Sequence, residues 1–312
     1  MAETISNINN RYIIAKEDSF GTIPASPTKL DFGYVQTISI AEDDTVEEVS
    51  AINTYHTLAE LDDDLYNLSG SITTKVSNPS LSKLLEALCG KIEGDTPTAG
   101  EYTISTEAIT SDDTSYFMKV NTTYGKILEM TGLFIKSGEV SVERDGSVEM
   151  TLEFQAKKLS PATETLSPIT PVGKLLRGLD ASVTYDGHDT ILDNFSFSID
   201  WHFDEGDSRG IENVGAGERR LIQRVIRNEM ELTGSFTSHM DDNIDIGYVD
   251  DRSSVPIVLT LSRGDYSHVF TISSSKTSTR SRELGTGEGK KTISCDYKGI
   301  DIGVIGDEYT ES

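Results

Sequence analysis

The chain has 312 residues and a formal net charge of −25, from 52 acidic and 27 basic side chains. A hydrophobic fraction of 36%, with 12 Tyr and 10 Phe, supports a real core and excludes wholesale disorder. So acidic a surface repels phosphate backbones and anionic lipid, which argues against a conventional nucleic-acid-binding protein.

The sequence carries no recognisable targeting or membrane signal. Its first 17 residues have neither the basic nor the apolar region of a signal peptide. No apolar run approaches the roughly 20 residues of a membrane-spanning helix. Cys89 and Cys295 lack metal-ligand spacing, so we expect two small buried hydrophobes in a reducing compartment.

Most segments alternate apolar and polar residues with a period of two, which predicts half-buried strands. Between two alternating runs, Asp145 and Gly146 predict a hairpin turn. The pattern therefore predicts an all-β protein with minor helix. The predicted strands cover residues 35–40, 68–76, 116–121, 138–157, 194–203, 230–240, 255–273 and 290–297.

Two segments predict helices. The first has Asn78 as N-cap, Pro79 at the first helical position and Gly90 just past the end. Its apolar stripe consists of Leu81, Leu84, Leu85 and Leu88. The second candidate, residues 218–230, has an apolar face surrounded by the basic residues Arg219, Arg220, Arg224 and Arg227.

One stretch is written twice. "NLSGSITTKV" at 67–76 returns as "ELTGSFTSHM" at 231–240, about half the chain later. In each half a polar insertion precedes this strand, and an aliphatic strand, an aromatic strand and a hairpin follow it. The matched aromatic strands are 115–121 and 267–273, and a Pro/Ser/Thr-rich join separates the halves. We predict two tandem, similar β domains, residues 1–160 and 161–312.

No catalytic or ligand-binding motif emerges. The five histidines have no paired spacing for a metal. Residues 284–292 depart from a phosphate-binding loop, and residues 241–247 depart from a calcium loop. The acidic runs at 42–44 and 62–64 are typical of solvated surfaces. The sequence predicts neither an enzyme nor a cofactor.

Three phrases resemble the major tail tube proteins of long-tailed phages and viruses. The first is "AKEDSFGTIPASPTKLDFGYVQTISI" at 15–40, which contains an E-x-x-[YF]-G-T-x-P phrase. The second is "GLFIKSGEVSVERDGSVEMTLEFQAKKL" at 132–159. The third covers 192–237, with a strand, a polar arm and a returning strand. Residues 159–190 contain no phrase of that family.

The resemblance implies a structural virion protein, assembled in the host cytoplasm. In that family each domain adds strands to a closed barrel around a channel, flanked by a small β-sandwich and a helix. Six domains normally form a ring, so a chain with two would form a trimer with pseudo-sixfold symmetry; a hexamer is the alternative. Rings stack into a tube that conducts the genome, with tape-measure, terminator and distal tail proteins as partners. The competing reading is a tandem β-sandwich adhesin or a surface-layer or baseplate module.

Two sets of site residues follow as expectations. The repeated strand is the candidate channel lining, and an acidic lumen would let DNA pass without binding it. The channel-strand candidates are Ser69, Ser71, Thr73, Thr233, Ser235 and Thr237.

The two insertions carry opposite charge, which suggests contacts between stacked rings. The alternative is that the basic segment packs against acidic residues of its own domain. The inter-ring candidates are Asp43, Asp44, Glu47, Asp62 and Asp63 in the insertion at 41–65, and Arg219, Arg220, Arg224 and Arg227 in the insertion at 202–230.

Overall fold

The computed structural model confirms the all-β fold with minor helix. The structure describes residues 2–6, 12–49, 60–89, 101–105, 114–122, 125–163, 166–167, 170–203, 209–214, 217–222, 227–239, 254–264, 266–283 and 292–307.

The first half of the chain contributes nine of the described strands and one helix. Their bounds are β1 Ala2–Ser6, β2 Tyr12–Lys16, β3 Tyr34–Val49, β4 Glu60–Lys75, α1 Asn78–Cys89, β5 Glu101–Ser105, β6 Tyr116–Asn121, β7 Ile127–Glu143, β8 Glu149–Ala156 and β9 Lys158–Ala162.

The second half contributes a 3₁₀ turn at Gly178–Asp180 and ten described strands. Their bounds are β10 Ala181–Tyr185, β11 His188–Thr190, β12 Leu192–Phe203, β13 Arg209–Val214, β14 Gly217–Ile222, β15 Arg227–His239, β16 Val255–Arg263, β17 Tyr266–Glu283, β18 Thr292–Gly299 and β19 Ile302–Asp307.

One large antiparallel sheet runs through both halves. In spatial order its strands are β1, β3, β4, β8, β7, β12, β15, β18 and β17. The halves meet where β7 pairs with β12, from Ser137 opposite Asp200 to Glu143 opposite Asn194. We call this pairing the internal junction. We call β3, β4, β8 and β7 unit one, and β12, β15, β18 and β17 unit two.

Two smaller sheets flank the large one, because β7 and β17 are long enough to belong to both layers. The beginning of β7 pairs with β6 and β9, and β6 pairs with β2. In the same way, the beginning of β17 pairs with β16 and β19, and β16 pairs with β10. Strand β5, from the first half of the chain, pairs with β19. The domain boundary at residue 160 therefore stays a prediction, because β5 of the first half belongs to a sheet of the second half.

The irregularities in strand register recur from one unit to the other. A β-bulge places one extra residue in a strand opposite its partner and bends the sheet locally. Bulges occur at matching places in the β3–β4 and β12–β15 pairs, and again in the β7–β8 and β17–β18 pairs. The matching extra residues are Gln36 and Asp193, Asp64 and Asn228, and Lys136 and Ser278.

These matches give a residue-by-residue correspondence between the units. They pair β6 with β16 and β7 with β17, because each pair of strands has equivalent partners. The match of residues 115–121 with 267–273 proposed from sequence is thus wrong by one strand. That match was based on the aromatic residues of the two strands, whereas equivalent strands are those with equivalent hydrogen-bond partners.

Helix α1 packs on the apolar face of the large sheet, as its leucine stripe predicted. Leu81, Leu84, Leu85 and Leu88 are all buried. The Trp201 indole N–H donates to the Leu88 carbonyl over 2.8 Å, which ties the helix to β12 of unit two. The corresponding face of unit two is covered by aromatic rings from its own strands and by Tyr185 of β10. Ring centroids lie 5.4–6.5 Å apart among Tyr185, Phe195, Phe197, Phe236, Phe270 and Tyr297.

The predicted helix at 218–230 is wrong. Residues 217–222 form β14, and β15 begins at Arg227. Strand β14 pairs with β13 along its whole length. It also meets β4, where Arg220 lies opposite Leu65. The apolar residues of the predicted helix have helical spacing, and the backbone hydrogen bonds to the neighbouring strand override it over residues 217–222.

The loop before β3 is held by one half-buried carboxylate, that of Glu17. Glu17 accepts hydrogen bonds from the Gly21 amide, the Ser115 hydroxyl and the Gly132 amide, at 2.7, 2.6 and 2.8 Å. Burial raises the pKa of Glu17, although these hydrogen bonds oppose the shift. Gly21 has a φ of +79°, which L side chains rarely adopt. The Glu17–Gly21 spacing in the E-x-x-F-G-T-x-P phrase is therefore a structural requirement of this loop.

The glycine in the repeated strand is explained by an aromatic ring beside it. A Cβ at Gly70 would lie 2.1 Å from the Ser39 carbonyl oxygen and 2.5 Å from Phe154. A Cβ at Gly234 would lie 2.4 Å from the Ser196 oxygen and 2.3 Å from the Tyr297 hydroxyl. That hydroxyl donates to the Ser196 carbonyl over 3.0 Å. Each unit thus packs one ring in the space that the glycine leaves.

We expect Gly70→Ala and Gly234→Ala each to lower the free energy of unfolding by about 1–3 kcal/mol, because the added methyl group overpacks the site. Urea unfolding followed by circular dichroism measures the loss. Gly303→Ala in β19 is the matched control, since nothing lies within 4 Å of its Cβ position. Tyr297→Phe should partly rescue Gly234→Ala and leave Gly70→Ala unchanged. Equal stability of all three alanine variants would contradict this packing argument.

Candidate channel surface and ring interface

The large sheet has one apolar face and one polar face. Along β4 and β15 the buried residues Leu68, Ile72, Leu232 and Phe236 alternate with half-buried hydroxyl residues. All six channel-strand candidates predicted from sequence lie on the polar face: Ser69, Ser71, Thr73, Thr233, Ser235 and Thr237.

Hydroxyl pairs connect neighbouring strands across this polar face. Such cross-strand pairs stabilise a sheet. The pairs are Ser39 with Ser71 at 2.8 Å, Thr73 with Thr151 at 3.3 Å, Ser196 with Ser235 at 3.1 Å, and Thr237 with Ser294 at 2.9 Å.

The charged residues on the same face are mainly acidic, and sequence reasoning missed them. Exposed carboxylates stand at Glu139, Glu143, Glu153 and Asp296. By register, Glu153 lies opposite Ser71, and Glu139 lies opposite Thr151 and Ser198. The signal that would have found them is the alternation of β7, β8 and β18, which is the same as that of β4 and β15.

The lysines of this face are partly neutralised by acids of the same face. Lys298 donates to Glu231 over 2.7 Å, and this hydrogen bond lowers the pKa of Glu231. Lys75 lies 3.9 Å from Glu149. The exposed carboxylates at Glu139, Glu143, Glu153 and Asp296 leave this face with a negative charge.

The internal junction shows how one unit joins the next. On the apolar face Val140 lies opposite Phe197, and Val142 lies opposite Phe195, all four being buried. One end of the junction is closed by polar contacts, since Asp193 lies 2.7 Å from His239 and 3.6 Å from Arg144. The junction therefore combines backbone pairing, apolar contacts and an ionic cluster.

The structure places most of the inter-ring candidates on two neighbouring β-hairpins. Asp43, Asp44 and Glu47 lie on β3, Asp62 and Asp63 lie on β4, Arg219 and Arg220 lie on β14, and Arg227 begins β15. Arg224 lies outside the described residues. The side chains of these candidates are also outside the described part, except that of Asp43, which is exposed.

The acidic and basic insertions meet within one chain. Arg220 of β14 lies opposite Leu65 of β4, in a parallel pairing. Ile222 at the end of β14 is buried against Phe134, with Phe20 packed beside them. The hairpin β3–β4, which carries the acidic candidates, therefore lies beside the hairpin β13–β14, which carries Arg219 and Arg220; we call the two hairpins together the composite surface.

Neither a metal cluster nor a membrane helix is found among the described residues. No group of three or more His, Cys, Asp or Glu residues there is placed to hold a metal ion. Among the same residues, no helix has the length and apolar character needed to cross a bilayer. Cys89 and Cys295 are both buried thiols.

Comparison with known proteins places the chain in a family. A family model described as "Phage tail tube protein" matches residues 8–299. No curated protein matches the chain. Because the match spans nearly the whole sequence, the chain belongs to the phage tail tube protein family and is a structural component of a virion tail.

Proposed function

We propose that this chain forms rings that stack into a tail tube, and that the acidic channel of the tube conducts the viral genome during ejection. The observation that carries the proposal is the large sheet, which contains two equivalent four-stranded units in series and has one acidic polar face. Because unit one pairs with unit two through β7 and β12, further units can be joined by the same pairing until the sheet closes into a barrel.

The register across the internal junction supports closure into a barrel. A row of directly opposite residues in unit one runs through Ser39, Ser71, Glu153 and Ser137. The corresponding row of unit two runs through Ser196, Ser235, Asp296 and Thr279.

The first row does not continue into the second. At the internal junction Ser137 faces Asp200, four residues beyond Ser196 on β12. Four strands therefore advance the register by four residues. With a rise of about 3.3 Å per residue and about 4.8 Å between strands, this stagger gives a strand tilt of about 35°. Closed barrels have tilts of about 35–45°.

Three chains would supply the six units of a ring with pseudo-sixfold symmetry, and a ring of six chains is the alternative. Closure removes the open edges of the sheet, which otherwise invite uncontrolled pairing. The polar face then lines the channel, because the apolar face is covered by α1 and the flanking strands. Tape-measure, terminator and distal tail proteins are the proposed partners that set the length and close the ends.

Tube formation by the purified chain is the direct test. We expect tubes by negative-stain microscopy, and species far larger than the 34.1 kDa chain by size exclusion. Averaged cross-sections should show six similar lobes from three chains. A chain that stays monomeric at every concentration and salt condition would instead favour the tandem β-sandwich adhesin or the surface-layer module.

The acidic lining should prevent DNA from being held in the channel. We expect Glu139→Lys with Glu153→Lys to leave tubes intact but to make them retain double-stranded DNA, in a manner that weakens as salt rises. Filter binding and ejection assays measure retention. The control is Asp186→Lys with Asp189→Lys, an equal charge change on exposed positions of the β10–β11 hairpin. Equal DNA retention by both variants would contradict an acidic channel.

Ring stacking is the proposed role of the composite surface. The basic side of one ring would contact the acidic side of the next and set their rotation. A single exposed ion pair contributes only about 0–1 kcal/mol, so the contacts matter as a network. The alternative is that the basic segment serves its own chain alone, and the pairing of β14 with β4 favours some contribution of that kind.

Charge reversal separates these two roles. We expect Arg220→Glu with Arg224→Glu to leave folded rings and to abolish tube growth, as seen by microscopy and light scattering. Arg220→Lys with Arg224→Lys is the control and should grow tubes. Normal polymerisation without added salt sensitivity would contradict the stacking role. If the charge reversal lowers the stability of the monomer and causes no separate stacking defect, the arginines act in contacts within their own chain.

A further inference from the structure

Strand β1 occupies the edge of the large sheet at which a second chain would join. β1 pairs with β3 from Ala2 opposite Ala41 to Ser6 opposite Thr37. In unit two, the strand equivalent to β3 is β12, and its corresponding edge is taken by β7 through the internal junction. The short strand β1 thus pairs with β3 at the position where β7 pairs with β12.

The opposite edge of the sheet is the end of β17. Within the described residues, positions 276–283 of β17 pair with β18 alone. β17 is the counterpart of β7, down to the matching bulges at Lys136 and Ser278. The strand that would join β3 of another chain is therefore the end of β17.

The internal junction fixes the register of this contact between chains. Ser137, which matches Thr279, lies opposite Asp200, which matches Asp43. By the same correspondence Arg280 lies opposite Glu42, and Glu283 lies opposite Ser39. The contact would cover 39–43 of β3, and β1 already covers 37–41.

The residues at the end of β17 suit a strand whose outer edge has no partner strand before assembly, within the described part of the chain. The internal junction places apolar pairs on the core face, such as Val140 with Phe197. At the corresponding register the contact between chains places Arg282 opposite Ile40, and two residues further along it places Arg280 opposite Glu42. Directly opposite residues of unlike charge stabilise an antiparallel pair, whereas charges at a free edge discourage indiscriminate pairing.

We infer that β1 is a removable cover for the edge of β3, and that ring closure requires the end of β17 from a second copy of this chain to displace it. The inference rests on the proposed ring. In the free chain β1 satisfies the backbone groups of β3 and blocks premature pairing. During assembly the end of β17 from the neighbour replaces these hydrogen bonds by pairing with residues 39–43 of β3 in the register of the internal junction.

A disulfide lock tests the displacement in the full chain. Thr4 and Ser39 are directly opposite, so Thr4→Cys with Ser39→Cys should form a bridge that holds β1 in place. We expect the oxidised variant to lose tube formation and the reduced variant to regain it. Thr184→Cys with Asp189→Cys in the β10–β11 hairpin is the control lock, and it should assemble in both states.

The opposite change weakens the cover. Thr4→Pro removes a backbone donor from β1 and should shorten the lag before tube growth several-fold, followed by light scattering. A cysteine pair at Asp43 and Thr279 should link chains to one another within tubes, which denaturing gels under non-reducing conditions detect as dimers and trimers.

The outcomes separate this inference from the proposed function. Tubes formed equally by the oxidised Thr4–Ser39 lock would overturn the role of β1 and leave the ring intact. Tubes without links between chains through positions 43 and 279 would overturn the register. If neither the unaltered chain nor Thr4→Pro forms tubes, the proposed function fails, and the inference fails with it.

Discussion

The backbone hydrogen bonds at the edges of the large sheet are the constraint on which this structure depends. Every strand inside the sheet has two partners, and the internal junction provides them where the two units meet. A strand with one open side exposes donors and acceptors that any other strand can use. The single chain covers one side of β3 with β1, whereas the described residues 276–283 of β17 pair with β18 alone.

The separation of the two faces follows from the same sheet. Alternation along β4 sends Leu68 and Ile72 to the core and leaves Ser69, Ser71 and Thr73 on the other side. The glycine of the repeated strand has a structural role, since Gly70 and Gly234 leave room for Phe154 and Tyr297. The apolar face is then sealed by α1 in unit one and by aromatic rings in unit two. The polar face is the one available to the channel.

Pairing of the insertions shows why local patterns can mislead. The apolar residues of the 218–230 segment have helical spacing, yet pairing with β13 makes residues 217–222 a strand. The same hairpin brings the basic insertion beside the acidic strand β4 of its own chain. Opposite charge in two distant segments indicated that they belong together. It did not indicate whether they belong to one chain or to two.

The sequence by itself determined the class of the fold, the helix at 78–89, the polar strands of the candidate channel and the family resemblance. These rest on local signals: period-two alternation, a leucine stripe, and a repeated phrase around Gly70 and Gly234. The predicted N-cap is wrong by one residue, since Asn78 is the first helical residue and the Ser77 carbonyl accepts the first helical hydrogen bonds. Only the tertiary structure decided that β7 joins β12, that bulges match between units, that Glu139 and Glu153 share the polar face, and that β1 covers β3. The physical reason is that these features depend on which distant strand supplies the partner for each backbone amide and carbonyl, and no local pattern of side chains records that choice.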